Sequence, residues 1–418
     1  MLKMIETFSG IGSQAQALKN LEIDHKVVAI AEWDINAMYA YDILHNGKQD
    51  IKSLRHHTKE SLIKFLSKYN LSSNGKNPIT LKALKSMSIA QLKAIYISIK
   101  RNNNLVDISK IHAQDLPDAD ILTYSFPCQD LSISGYWHNN TGGIDRDAEN
   151  RSTLLWEIER ILQEYVASKK KLPRFLLMEN VSNILSKRHI GNFNEWKEFL
   201  CNIGYINKIY TLDARNFGVP QSRERTFMIS ILSENSKEHE VITDYLSKND
   251  LQTYKTEKST SLSDFLRLDY SIEKYKQEAI ESTPRFTESR QKIFYDNIVL
   301  ATGAVVHETT AKTVTTKQDR NPNSGIIKYD KKNYLVKRNI YYRNLTPREC
   351  FMLMGFKEEQ YELLLSNNFM NKKGTMFLTP SKLNKMAGNS IVVPILEKIF
   401  EQLEDIRKEL SSLTKSVL

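Results

Sequence analysis

The stretch LKMIETFSGIGS, Leu2 to Ser13, runs from an apolar segment into a turn with glycines at positions 10 and 12, and SQAQALKNL follows. An apolar run that ends in a glycine turn and opens an amphipathic segment reads as a buried strand feeding a helix. Backbone can approach a ligand closely there, and the helix N-terminus faces an anionic group. The same rhythm recurs in KVVAIAEW, ADILTYSF, RFLLMENV, YINKIYTL and RTFMISIL. Between these runs, INAMYAYDILH and TLLWEIERILQEYV behave as helices, the second with apolar residues at three- and four-residue spacing. Buried strands alternating with helices predict an α/β domain built on a mostly parallel sheet.

The chain is 418 residues long, which suggests one large domain and a smaller one. Hydrophobic content of 41% beside 26% charged residues is that of a water-soluble globular protein. No apolar run approaches the roughly 18 residues of a membrane helix, and the N-terminus reads as a strand instead of a secretion signal. A cytoplasmic protein is expected. Cys128, Cys201 and Cys350 are odd in number and widely spaced, which argues against disulfides and against a CxxC pair. The histidines are scattered, so no metal is expected. A net charge of +10 favours a polyanionic partner, since counterion release dominates nucleic-acid affinity.

A lysine-rich segment from about residue 47 to 104 interrupts the rhythm as an insertion, with helices expected around LKALKSM and IAQLKAIYISIK; it reads as a solvated decoration in preference to a DNA contact. After Leu232 the composition shifts, and NIVLATGAVV, AKTVTTK and GIIKYDKKNYLV predict a smaller β-rich domain over residues 233–345. Within it, the basic, tyrosine-bearing run from Lys331 to Arg343 suits a phosphate-lined cleft or a lysine-protected edge strand. Residues 346–418 return to helical periodicity and are expected to pack on the first domain, residues 1–232.

Four polar groups follow predicted strands: FSGIGS (Phe8 to Ser13), EWD (Glu32 to Asp34), PCQ (Pro127 to Gln129) and ENV (Glu179 to Val181). Strand ends of one sense in a parallel sheet share an edge, so these groups should meet in one pocket. An acid about twenty residues past a glycine turn is suited to ribose hydroxyls, and Glu32 has that place. Pro127 stops the strand and should present Cys128 to the cleft, where a thiol of lowered pKa is a nucleophile. Glu179, at the end of an apolar strand, should be desolvated and able to donate a proton near neutral pH. Arg223 and Arg225 alternate before the last strand and can share a side. Cys201 and Cys350 sit in amphipathic segments and read as structural.

These residues resemble the bacterial DNA cytosine-C5 methyltransferases. FSGIGS, EWD, PCQ, ENV, QSRER, RNLTPRECFMLMGF and AGNSIVVPILEKI stand in that family's order over nearly the whole chain. LTYSFPCQDLS, LLWEIERIL and LLMENV are also similar to its CpG-type branch, though the region after Leu232 does not extend this to a target sequence. The resemblance implies a Rossmann-like, S-adenosylmethionine-dependent methyltransferase fold with a smaller target-recognition domain across a DNA cleft. It implies that Phe8, Ser9, Gly10, Ile11, Gly12 and Ser13 line the methionine and sulfonium, that Glu32 holds the ribose, and that Trp33 packs on adenine. Asp107 and Ile108 would meet the adenine edge, and Pro127, Leu154, Asn389 and Ser390 would complete the pocket. The insertion before VDI makes Asp107 harder to align than Cys128.

The resemblance also implies a reaction. Cys128 would add to cytosine C6, Glu179 would support that addition at N3, and Arg225, with Arg223 beside it, would hold O2 and nearby phosphate. S-adenosyl-L-homocysteine is the implied product. The base must leave the duplex, at a cost of a few kcal/mol. The expected partner is double-stranded DNA, with any cognate restriction endonuclease acting separately and the enzyme a monomer. RNA cytosine methylation and a catalytically silent DNA-binding protein are the rival readings. Base readout is expected between Thr302 and Asn323.

Overall fold

The computed structural model describes the chain except for residues 128–130, 132–142, 147–150, 258–259, 286, 308, 331–339, 372–373 and 417–418. Its centre is a six-stranded sheet of β1 (Leu2–Thr7), β2 (His25–Ala31), β3 (Ile121–Tyr124), β4 (Phe175–Val181), β5 (Tyr205–Asp213) and, past the two-residue β6 (Gln221–Ser222), β7 (Glu224–Leu232). The order is β2-β1-β3-β4-β7-β5. The first four strands are parallel, and β7 runs antiparallel to both β4 and β5. The mostly parallel α/β sheet is thus present, with one reversed strand.

Both faces of this sheet are covered, which is why its strands are nearly continuous apolar runs. Alternate residues enter opposite layers. Met4, Ile121, Leu177 and Ile229 join the core beneath α1 (Ser13–Asn20), α2 (Ile35–Asn46) and the last helix, Val393–Ser416. Ile5, Leu122, Met178 and Met228 join a second core with the helices Leu155–Ala167 and Ile190–Asn202. In the first of those two helices Leu155, Ile158, Ile161, Leu162 and Tyr165 form the buried stripe that the spacing predicts.

The insertion forms α3 (Lys59–Leu66), α4 (Leu81–Ser86) and α5 (Ile89–Arg101), capped by the side chains of Thr58, Thr80 and Ser88. Leu62, Leu66, Leu84, Leu92 and Ile95 lock it into the first core, so its inner face is integral to the domain. Chain packing does not break at residue 233. The helix Ser236–Lys248 sends Ile242 and Leu246 into that same core.

A smaller four-stranded sheet, β12-β11-β8-β9, follows. It contains β8 (Val299–Thr302), β9 (Val305–Val306), β11 (Ile326–Lys328) and β12 (Tyr342–Asn344). Between them β10 (Ala311–Lys312) pairs with β6, tying the two sheets' chains together. Most of the basic run from Lys331 lies outside the described residues. Its last residue, Arg343, is no phosphate ligand: it is fully buried, in a two-pronged pair with Glu349 at 2.8 Å for each prong. An acid three residues into the next helix neutralises it, and short-range charge patterning did not reveal that.

Candidate active site

The strand register places the four polar groups along one edge. Ala31, Thr7, Tyr124 and Met178 stand abreast on β2, β1, β3 and β4. Glu32, Phe8, Ser125 and Glu179 therefore follow along the next row. At a strand spacing of about 4.8 Å that row spans about 14 Å.

At its β2 end, Glu32 is fixed by two main-chain amides. Asp34 N donates to Oε1 at 2.7 Å and Gly10 N to Oε2 at 3.0 Å. Burial, helped by the nearby Asp34 carboxylate, pushes the Glu32 carboxyl up to about 7. Gly10 has a positive φ of 55° and open space where a Cβ would stand, whereas a Cβ on Gly12 would come within 2.2 Å of His45 Nε2. His45 meets Ile11 O at 3.0 Å, and burial lowers its pKa to about 4, so it is neutral beneath the loop. Gly12 gives α1 no side-chain cap. Glu6 Oε1 accepts from Ala15 N at 3.3 Å in the first turn of α1, while open space at Gly10 and the anchored Glu32 carboxylate fit a ligand carrying a ribose, as S-adenosylmethionine does.

Asp107 Oδ1 accepts from Ser109 N at 3.0 Å, and Oδ2 accepts from Asn70 Nδ2 at 2.6 Å. The insertion thus reaches the residue expected at the adenine edge. Ile108 is buried, and Trp33 packs half-buried on the first core. Ser72 of the insertion pairs with the same strand end: Ser72 N donates to Trp33 O at 2.7 Å. Asn389 is exposed at the end of the helix Pro380–Asn389, and the adjoining Ser390 is buried.

At the β4 end, Glu179 lies 3.5 Å from Arg225 Nε, with both side chains largely shielded. Burial raises the Glu179 pKa, against the lowering effect of the Arg225 and Arg223 charges. Arg223 also reaches Glu179 through its charge. It is 3% exposed, and it donates to Val314 O at 2.9 Å, Gly388 O at 3.1 Å and Ser390 O at 2.8 Å. Its guanidinium ties the small unit to the C-terminal segment.

Cys128 lies outside the described residues, but the backbone flanking it is held. Asn180 Nδ2 donates to Phe126 O at 3.0 Å, Ser152 Oγ to Pro127 O at 2.8 Å, and Asn183 Nδ2 to Leu131 O at 2.6 Å. None of these three residues was singled out from sequence for a role; the asparagine of ENV was the available signal. Leu154 ends the short 3-10 turn Arg151–Leu154 that includes Ser152 and caps the helix Leu155–Ala167. Of the other thiols, Cys350 is fully buried with its pKa raised by desolvation, and Cys201 is exposed on a helix. Among the described residues no group of three or more His, Cys, Asp or Glu side chains could hold a metal ion. No described helix is long and apolar enough to cross a membrane.

Comparison with known proteins agrees with this layout. Residues 81–405 match the family of C-5 cytosine-specific DNA methylases. A type II methyltransferase of Lactococcus lactis subsp. cremoris is 33% identical over 96% of this chain and 99% of its own length. An orphan methyltransferase of Spiroplasma monobiae is 32% identical over 96% and 97%. Among solved structures, the Dnmt2 methyltransferase of S. pombe has the same fold with a TM-score of 0.58 at 17% identity, over 97% of this chain and 99% of that one. The chain belongs to the C-5 cytosine-specific DNA methylases and is an S-adenosylmethionine-dependent DNA cytosine-C5 methyltransferase that works through a covalent cysteine adduct.

Proposed function

We propose that Cys128, Glu179 and Arg225 carry this reaction on a cytosine turned out of duplex DNA. The Cys128 thiolate adds to C6, and Glu179 passes its proton to N3, which makes C5 an enamine carbon. S-adenosylmethionine supplies the methyl group that C5 takes. Loss of the C5 proton to a base and of the Cys128 thiolate from C6, with the N3 proton returned to Glu179, then restores the aromatic ring and frees the product. Arg225 holds cytosine O2 and offsets charge there. The observation that carries the assignment is Glu179 itself, a shielded carboxyl with a raised pKa at the strand end next to the clamped Pro127 turn. Arg223 is a positioning residue in this scheme.

For the cofactor we assign Phe8 to Ser13 to the methionine and sulfonium, Glu32 to the ribose and Trp33, Asp107 and Ile108 to adenine. Pro127, Leu154, Asn389 and Ser390 close the pocket. Target recognition belongs to the part of residues 233–345 that builds the small sheet, and residues 346–418 complete the catalytic domain. We further assign the enzyme to the CpG-type branch, on the motifs LTYSFPCQDLS, LLWEIERIL and LLMENV. It acts as a cytoplasmic monomer in restriction–modification, with any endonuclease partner separate, since one cleft around one base needs no second copy.

Purified protein is incubated with S-adenosylmethionine and unmethylated plasmid, and modified cytosines are mapped by bisulfite sequencing beside Cys128→Ala. Protection in one short context that vanishes in the variant is expected. Protection that persists in Cys128→Ala sinks the assignment of the nucleophile, and protection outside CpG sinks the branch.

A further inference from the structure

The insertion holds the chain's entire net charge. Residues 47–104 contain 12 of its 59 Lys and Arg but only 2 of its 49 Asp and Glu, leaving 47 of each sign elsewhere. The rest of the enzyme is formally neutral. Arg101 is tied to Asp42 at 2.9 Å and so serves the insertion's own packing. Lys48, Lys52, Arg55, Lys64, Lys68 and Lys82 are all exposed. Lys52, Arg55 and Lys93 line one open concavity with His56, and Asp50 is the acid there. A concave surface with three cations, fixed on helices by a buried leucine seam, presents positive charge in a set geometry and not on a loose tail.

We propose that this face of the insertion is a second, sequence-independent binding surface for duplex DNA phosphates, outside the cleft that receives the target base. DNA is the favoured polyanion because the enzyme already acts on it, and because the insertion carries the chain's whole excess of ten positive charges. The surface lies past β2, the edge strand at the opposite end of the sheet from β5. Its loop also comes to the strand ends, where Lys385 Nζ donates to Asn74 O and Asp34 Oδ2, each at 2.7 Å. DNA longer than the recognition site then contacts both regions. The flanking contact raises local substrate concentration and lets the enzyme stay on a long molecule between sites.

The test compares wild type with Lys52→Gln/Arg55→Gln/Lys93→Gln, and with the charge-keeping Lys52→Arg/Lys93→Arg, as full-length enzymes. Equilibrium binding to a long duplex lacking the target is measured across salt concentrations. Methylation is measured on a short duplex that covers only the site and on plasmid. Each lost phosphate contact lowers the slope of log K against log salt by about 0.9, so the Gln variant should lose about 2 to 3 in slope. Its KM on plasmid should rise at least tenfold at unchanged kcat, with the short duplex unaffected and the Arg variant like wild type. An unchanged slope overturns the proposal and leaves the face to an acidic protein or to solvation. An equal loss on the short duplex also overturns it, because the cations would then belong to the target cleft.

Discussion

Replacing Arg225 by Gln separates two effects that the 3.5 Å contact with Glu179 combines. As a ligand for cytosine, Arg225 sets the height of the rate; as a cation beside Glu179, it sets the pH at which the acid is lost. A unit charge at that separation is worth at most about 4–5 kcal/mol at an effective dielectric near 20, or roughly three pH units. Residual exposure of both side chains reduces this, so the shift falls short of that ceiling. The sign is fixed. Burial already raises the Glu179 pKa and Arg225 opposes it, so removing the cation raises the pKa further. Glu179 acts in its protonated form, so the alkaline fall in kcat/KM moves to higher pH in Arg225→Gln, even as the maximum drops. Single-turnover methyl transfer across pH 5.5 to about 9.5 gives both quantities, with Glu179→Gln as the reference. That variant should lose about 10²–10⁴-fold and lack the alkaline limb. An alkaline limb that stays in place in Arg225→Gln, or that survives in Glu179→Gln, refutes Glu179 as the proton donor.

Asn180→Ala removes the bond to Phe126 O and should lower kcat about tenfold or more with S-adenosylmethionine affinity unchanged in a binding titration, since small misplacements of a nucleophile are costly. Asn70→Ala frees the Asp107 carboxylate and should weaken cofactor binding about tenfold at unchanged kcat; equal binding would detach the insertion from the cofactor site. Burial raises the Glu6 pKa to about 7, so its stabilising contribution is present below the unfolded pKa and is lost as pH rises through 7. Glu6→Gln should therefore flatten the fall in melting temperature between about pH 5 and 8, a dependence worth about 3 kcal/mol. Arg343→Met strands the buried Glu349 carboxylate and should cost about 3–5 kcal/mol in thermal unfolding. Adding Glu349→Gln should recover part of that loss, because the amide oxygen still accepts from Thr346 N or Arg267 N.

What could be read from sequence was set by local physics. Continuous apolar runs marked strands covered on both faces, and the polar residues just beyond them marked the ligand edge. Glu32 and Glu179 were found because each ends such a run. Arg343 was misread because its partner is an acid supplied by the next helix, which residue spacing cannot show, and the carbonyls that hold Arg223 likewise come from other elements. Asn70 and Ser152 were missed because a single polar residue in a polar segment has no pattern of its own. The reversed β7 was equally invisible, since an apolar run does not record strand direction. Past the change in composition at residue 233, the helix Ser236–Lys248 is polar outside and packs Val241, Ile242, Tyr245 and Leu246 on the first core.

The two ends of the site solve opposite problems with the same residue type. Glu32 accepts an amide proton on each carboxylate oxygen, and each oxygen retains a second lone pair. Ribose hydroxyls can therefore add to it without displacing Gly10 or Asp34, and the carboxylate is oriented before the cofactor arrives, which removes part of the ordering cost of binding. Glu179 has Arg225 at 3.5 Å, and the charges of Arg225 and Arg223 work against the rise that burial causes. Burial raises both carboxyls; the two amides fix the orientation of Glu32 as an acceptor, while arginine charge stands against the desolvation of Glu179. The row of strand ends therefore places an acid oriented by amides and an acid countered by arginine charge about 14 Å apart, with the Pro127 turn between them.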